Sequence, residues 1–197
     1  MFDNAVNCSQ SQARSLADVL GGEKGLKNVF VAVNVSTRQF LMPGFVDQVA
    51  HILEKTGLPP DCLELEITES VLMQDADAAI KSLEDLRRLG LHLAIDDFGT
   101  GYSSLSYLSR FPFTTLKIDR AFIRDLENNP KDEEIVRAII GLSRGLNLAV
   151  VGEGAEILEQ VKFLRDHHCT SIQGYYYSKP VSPEEFELML LNGIQVN

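Results

Sequence analysis

Leu91–Phe98 reads LHLAIDDF, and Gly99-Thr100-Gly101 follows it directly. Leu91, Leu93 and Ile95 alternate with His92, Ala94 and Asp96, the two-residue period of a strand whose faces differ. The apolar set suits packing under helices, while the other set ends in a carboxylate. Adjacent Asp96 and Asp97 cannot both project from one face of a regular strand, so a turn is expected there, permitted by the two glycines. Taken alone, an Asp-Asp pair before such a turn is more often turn chemistry than a ligand pair.

The same design recurs outward from this stretch, in short β-branched runs at Val29–Ser36 (VFVAVNVS), Leu63–Thr68 (LELEIT), Leu116–Phe122 (LKIDRAF), Leu148–Glu153 (LAVVGE) and Ser171–Tyr177 (SIQGYYY). Helical periodicity fills the gaps at Val46–Thr56, Asp75–Leu89, Ser104–Ser109, Asp132–Leu146 and Glu156–His168, with Gly57, Gly90 and Gly145 as expected C-caps. Ser182-Pro183-Glu184-Glu185 opens a last helix with an N-cap serine, a proline at N1 and a glutamate at N3. Strands alternating with helices predict parallel strands joined by right-handed crossovers, hence an α/β fold.

Every run carries, near its C-terminal end, a side chain able to bind metal or polar substrate: Asn34, Glu66, Asp96, Lys117, Glu153 and Gln173. A doubly wound sheet concentrates chemistry at one switch point, whereas a (β/α)8 barrel gathers all its strand ends around one mouth. The pattern therefore favours the barrel. Counting back by twos puts Ala32, Glu64, His92, Ala94 and Val151 on the same inner face, which is unusually polar. Carboxylates buried there need a cation or mutual hydrogen bonds.

The chain has 197 residues and a formal net charge of −10, with 45% apolar and 23% charged residues. An acidic balance argues against DNA, RNA or an anionic membrane as the main partner. The length suits one domain but falls short of the roughly 250 residues typical of a (β/α)8 barrel. Cys8, Cys62 and Cys169 are scattered and lack metal-ligand spacing, which suits reduced thiols in the cytoplasm. The N-terminus has no basic region before Arg14 and no apolar core, and no stretch of 18 apolar residues exists to insert in a membrane.

Glu66, Asp96, Asp97, Glu153 and Asn34 form an all-oxygen set whose natural occupants are hard cations such as Mg²⁺ or Mn²⁺. Two aspartates, one able to bridge, suggest a two-metal site that clamps a phosphodiester for in-line attack by an activated water. Lys117 would orient that water or stabilise transition-state charge, although a lone lysine is more often solvated or salt-bridged. Asn34, before Ser36 and Thr37, equally suits a strand-end cap. His92, His167 and His168 read as structural or exposed. Tyr175-Tyr176-Tyr177 reads as β packing, with Tyr175 or Tyr177 able to contact a base.

Asn34-Val35-Ser36, Glu66-Ile67-Thr68-Glu69, Asp96-Asp97-Phe98-Gly99-Thr100-Gly101-Tyr102-Ser103-Ser104, Leu116-Lys117-Ile118-Asp119, Glu153-Gly154-Ala155-Glu156 and Gln173-Gly174-Tyr175 together resemble the EAL-domain family, over about residues 29–190. Its members are bacterial phosphodiesterases that cut cyclic di-GMP to the linear dinucleotide. The resemblance implies a modified TIM barrel holding two Mg²⁺ or Mn²⁺ ions, one by Asn34, Glu66 and Asp96 and the second by Asp96, Asp97 and Glu153. It further implies that Lys117 holds the attacking water, that Glu156 and Gln173 are outer members of the site, and that Glu69 anchors the loop 98–104. That loop is implied to couple metal binding and dimer contacts to activity.

Three departures stand beside the matches. The family's opening strand, Glu-x-Leu-x-Arg, is absent, so the resemblance implies an N-terminally truncated barrel of about six strand-helix units, weakened in one metal ligand and open at an edge that invites homodimer pairing. Gly152 stands where the family usually has Ala, and Ala155 where it usually has Val; both are expected to loosen packing. Two functions of different class follow: a cyclic di-GMP phosphodiesterase, or a catalytically impaired module that binds nucleotide or a protein partner.

Overall fold

The computed structural model describes residues 31–69, 75–99, 108–182, 185–186 and 188–189. These residues form strands β1 (Val31–Val35), β2 (Leu63–Thr68), β3 (His92–Phe98), β4 (Thr115–Ile118), β5 (Ala149–Glu153) and β6 (Ser171–Gln173). The helices are α1 (Thr37–Phe40), α2 (Phe45–Thr56), α3 (Ala76–Arg88), α4 (Arg120–Arg124), α5 (Pro130–Gly145) and α6 (Leu158–Asp166). The chain divides into two compact units. The first comprises residues up to Asp96 with Gly101–Thr114, and the second Asp97–Thr100 with Thr115–Asn197.

In the first unit β1, β2 and β3 run parallel in sequence order, with Asn34 opposite Glu66 and Glu66 opposite Ala94. Val33 and Val35 face inward while Ala32 and Asn34 are exposed, so β1 is two-faced. β2 is buried on both faces: Leu65 and Ile67 lie on one and Glu64 and Glu66 on the other. Each buried aliphatic contributes about 1.5–3 kcal/mol, and that apolar face is what keeps the carboxylate face in register. Thr114 extends the pairing beyond regular strand: its Oγ1 accepts from Leu93 N–H at 3.0 Å and its own N–H donates to Leu93 O at 2.9 Å.

In the second unit β4, β5 and β6 are likewise parallel, with Lys117 opposite Val151 and Glu153 opposite Gln173. The threonine device recurs, for Thr170 Oγ1 accepts from Val150 N–H at 3.1 Å just before β6 begins. Gly152 is buried against α6, where an added Cβ would stand 2.7 Å from Leu164 Cδ1. The absent methyl is thus filled by Leu164, itself fully buried, and the loosened packing expected at Gly152 does not occur.

Four sequence expectations change. Leu116–Phe122 is a strand only through Ile118, because Asp119 accepts from Ala121 N–H and caps α4. Ser171–Tyr177 is a strand only through Gln173 and then turns. Ser36 and Gln39 form a capping box that opens α1, which the sequence reading had as a strand end. Gly145 remains helical, and Asn147 takes the left-handed position with φ 60°. The Ser182–Glu185 cap is present, with Ser182 N–H donating to Glu185 Oε2 at 3.0 Å. Val29, Phe30, Cys8 and most of Ser104–Ser109 lie outside the described residues.

Candidate active site

The first unit presents Asn34, Glu66 and Asp96 at the C-terminal ends of three neighbouring strands. Glu66 and Asp96 share a face, since Glu66 pairs with Ala94, two residues before Asp96. Both are buried, at 6% and 8% exposure, together with Glu64. Asn34 is exposed. Glu69, just past β2, is 5% exposed, and neither carboxylate oxygen has a hydrogen-bond partner among the described residues. A buried carboxyl in that condition carries a large desolvation cost until a donor or cation meets it.

In the second unit Lys117 on β4 and Glu153 on β5 meet at 2.7 Å, with side chains 6% and 20% exposed. Parallel register explains the pair: Lys117 lies opposite Val151, so Glu153 is two residues further along the same face. Removing one partner of such an enclosed pair typically costs about 3–5 kcal/mol. The bare-lysine reading is therefore half correct, because Lys117 is salt-bridged, and its partner is itself a candidate site residue.

A pocket of about 710 Å³ opens beside this pair, lined by Glu153, Glu156, Gln173 and Tyr175, and by Arg120 and Arg124 of α4. Glu156 and Tyr175 are exposed into solvent, Tyr175 at 57%, and Lys179 Nζ lies 5.9 Å from the Tyr175 ring centroid. Two close approaches fix the walls. Gly154 has φ 74°, and a Cβ there would stand 2.6 Å from Arg120 Cβ; a Cβ on Gly174 would stand 2.1 Å from Ala155 O. Ala155 N–H donates to Gln173 O at 3.2 Å, and Tyr176 N–H to Ala155 O at 3.0 Å, which is why the tyrosine run turns instead of continuing β6. Arg120 and Arg124 were hidden from sequence reading by extending the LKIDRAF strand; the legible sign was Asp119 as a helix cap.

The turn anticipated at Asp96-Asp97 falls on Asp97 itself, with φ 55°, and Gly99 follows at φ 98°. A left-handed residue interrupts strand alternation, so the two acids are freed from opposite faces. Loop residues 100–107 lie outside the described residues.

The donor chemistry fits hard cations. Buried Glu66 and Asp96 with the Asn34 amide are one set, and Asp97 and Glu153 belong to the second unit; all are oxygen ligands. Among the described residues no group of three or more His, Cys, Asp or Glu side chains is gathered closely enough to hold one ion. Cys62 and Cys169 are free thiols, and burial pushes the Cys169 thiol upward, against ready thiolate chemistry.

Parallel strands ending in carboxylates, with a lysine-glutamate pair at the pocket, define an α/β protein with an acid-rich candidate site at its strand ends. The chain belongs to the EAL domain family, whose profile matches residues 8–180. It is 48% identical over 157 residues to the cyclic di-GMP phosphodiesterase NbdA of Pseudomonas aeruginosa, covering 80% of this chain and 20% of that protein. Among solved structures it resembles the MucR phosphodiesterase of P. aeruginosa in its c-di-GMP complex, at TM-score 0.85 and 44% identity, covering 90% of this chain and 71% of the other. It also resembles a calcium/cyclic di-GMP complex of BlrP1 from Klebsiella pneumoniae, at TM-score 0.73 and 31% identity, covering 90% of this chain and 46% of the other. The fold class is accordingly the EAL domain's variant of the TIM-type α/β barrel. The chain spans about a fifth to a quarter of the length of such curated relatives, from 20% to 26%. Among the described residues no helix is long and apolar enough to cross a membrane.

Proposed function

We propose that this chain is a metal-dependent phosphodiesterase that opens cyclic di-GMP to linear pGpG. The enclosed Lys117–Glu153 pair at 2.7 Å carries the reading, because a lysine held by a carboxylate beside a substrate-sized pocket is placed to act on an incoming nucleophile. Water adds its oxygen to one phosphorus, the bond to the 3′ oxygen breaks, and that oxygen leaves with a proton while the other water proton passes to solvent. Lys117 holds the attacking water, and Glu153 keeps the ammonium in place and charged. Gln173 and Glu156 border the phosphate and sugar, and Tyr175 offers an aromatic face to a guanine.

Mg²⁺ or Mn²⁺ would supply charge neutralisation on the phosphate and a lowered water pKa. Asn34, Glu66 and Asp96 would hold one ion, and Asp96, Asp97 and Glu153 would serve the second. Glu69, buried with neither oxygen met among the described residues, suits an anchor for the loop 98–104. The free cysteines suit a cytoplasmic protein, and the family's dimer contacts lead us to assign a homodimer.

The test is turnover of cyclic di-GMP with Mn²⁺ or Mg²⁺. Lys117→Met and Glu153→Gln should each lose about 10²-fold or more in kcat, and EDTA should abolish activity. Equal turnover by wild type and Glu153→Gln in Mn²⁺ would instead favour the non-catalytic nucleotide-binding or protein-interaction module.

A further inference from the structure

Gln160 has spent nearly all of its hydrogen-bonding capacity on the pocket described above. It is the third residue of α6 and only 4% exposed. Its Oε1 accepts from Glu156 N–H at 2.8 Å and from Ile157 N–H at 3.2 Å, and its Nε2 donates to Arg124 O at 3.1 Å. A glutamine at this position ordinarily reaches back only to the start of its own helix. Here it also crosses 36 residues of sequence to the last residue of α4, whose carbonyl has no partner within so short a helix.

The two ends of this bridge are both pocket walls. Glu156 lies in the loop after β5, and Arg124 ends α4 on the other side. The Lys117–Glu153 pair is held by strand register and by its own ion pair. Loss of the bridge would therefore let the walls drift while leaving the reacting pair in place. We propose that Gln160 is a positioning residue for the dinucleotide: it fixes the spacing of Glu156 and α4, and so sets substrate affinity instead of the chemical step. This rests on the phosphodiesterase reading.

The test compares wild type with Gln160→Leu, which removes all three bonds at similar volume, and Gln160→Glu, which retains an acceptor for Glu156 and Ile157 but not the amide donor to Arg124. Three readouts are taken on the full chain: KM and kcat for cyclic di-GMP with Mn²⁺, equilibrium binding of cyclic di-GMP, and hydrogen exchange of the Glu156 and Ile157 amides. Gln160→Leu should raise KM and Kd about tenfold or more with kcat changed less than about threefold, and should deprotect both amides. Gln160→Glu should keep the amides protected and raise KM by a smaller factor. Unchanged KM in Gln160→Leu, or a fall in kcat at constant KM, overturns the proposal. If Gln160→Leu does not fold, wild-type KM in Gln160→Glu overturns it. If wild type itself neither binds nor hydrolyses cyclic di-GMP, the phosphodiesterase reading fails, and exchange decides the bridge: equal protection in wild type and Gln160→Leu overturns it, and deprotection upholds it.

Discussion

The ends of β3 and β5 solve one problem in opposite ways. Each strand delivers an acid and then leaves the sheet through a left-handed residue. At β5 the acid, Glu153, stays in regular strand, the left-handed step falls on Gly154, and Lys117 holds the carboxylate. At β3 the acid Asp97 is itself left-handed within the strand, which runs on to Phe98 before Gly99 takes the exit. An aspartate there costs roughly 1–2 kcal/mol that a glycine would not. The β5 turn thus aims its carboxylate by packing and pairing, and the β3 turn aims its carboxylate by backbone. The first should be sensitive to any added volume, and the second to the identity of one side chain.

The comparison breaks most completely at Gly174. With Ala155 O only 2.1 Å from an added Cβ, and backbone on both sides of the clash, Gly174→Ala should yield no cooperatively folding protein, read as loss of the thermal transition. Gly154→Ala meets Arg120 Cβ at 2.6 Å and takes a positive φ, so it should lose about 2–4 kcal/mol in denaturant melts while Lys117→Met, tested in the same way, marks the cost of the ion pair alone. The β3 turn should answer differently. Asp97→Asn keeps a residue that tolerates the left-handed region, so stability should hold within about 0.5 kcal/mol, while turnover falls at least about tenfold. An equal stability loss at Asp97→Asn and Gly154→Ala would erase the distinction.

Much of this was legible from alternation. LELEIT is a strand over its whole length, Leu63–Thr68, since both its faces are specified, one aliphatic and one acidic. The shared face of Val151 and Glu153 followed from counting by twos; the contact of Glu153 with Lys117 did not, because register depends on the connecting α4 and α5. The LKIDRAF error has a plain cause. Leu116, Ile118 and Phe122 mimic strand spacing, yet past Ile118 it is Ile123 and not Phe122 that is fully buried, and Asp119 stops the strand by capping a helix. The tyrosine run misled because its turn is imposed by a backbone contact between Gly174 and Ala155, nineteen residues apart in no local pattern. Gln160 escaped notice for the same reason: one of its three side-chain hydrogen bonds reaches Arg124, far away in sequence.

Gly152 and Leu164 occupy one volume between them. Leu164 fills the space that any side chain at residue 152 would need, so the two positions cannot enlarge independently. Alanine at residue 152 calls for a shorter residue 164 first, and the reverse order passes through a clash. The pair therefore ties strand to helix: a chimera that exchanges α6 should fold or fail according to the size of the side chain it brings to residue 164.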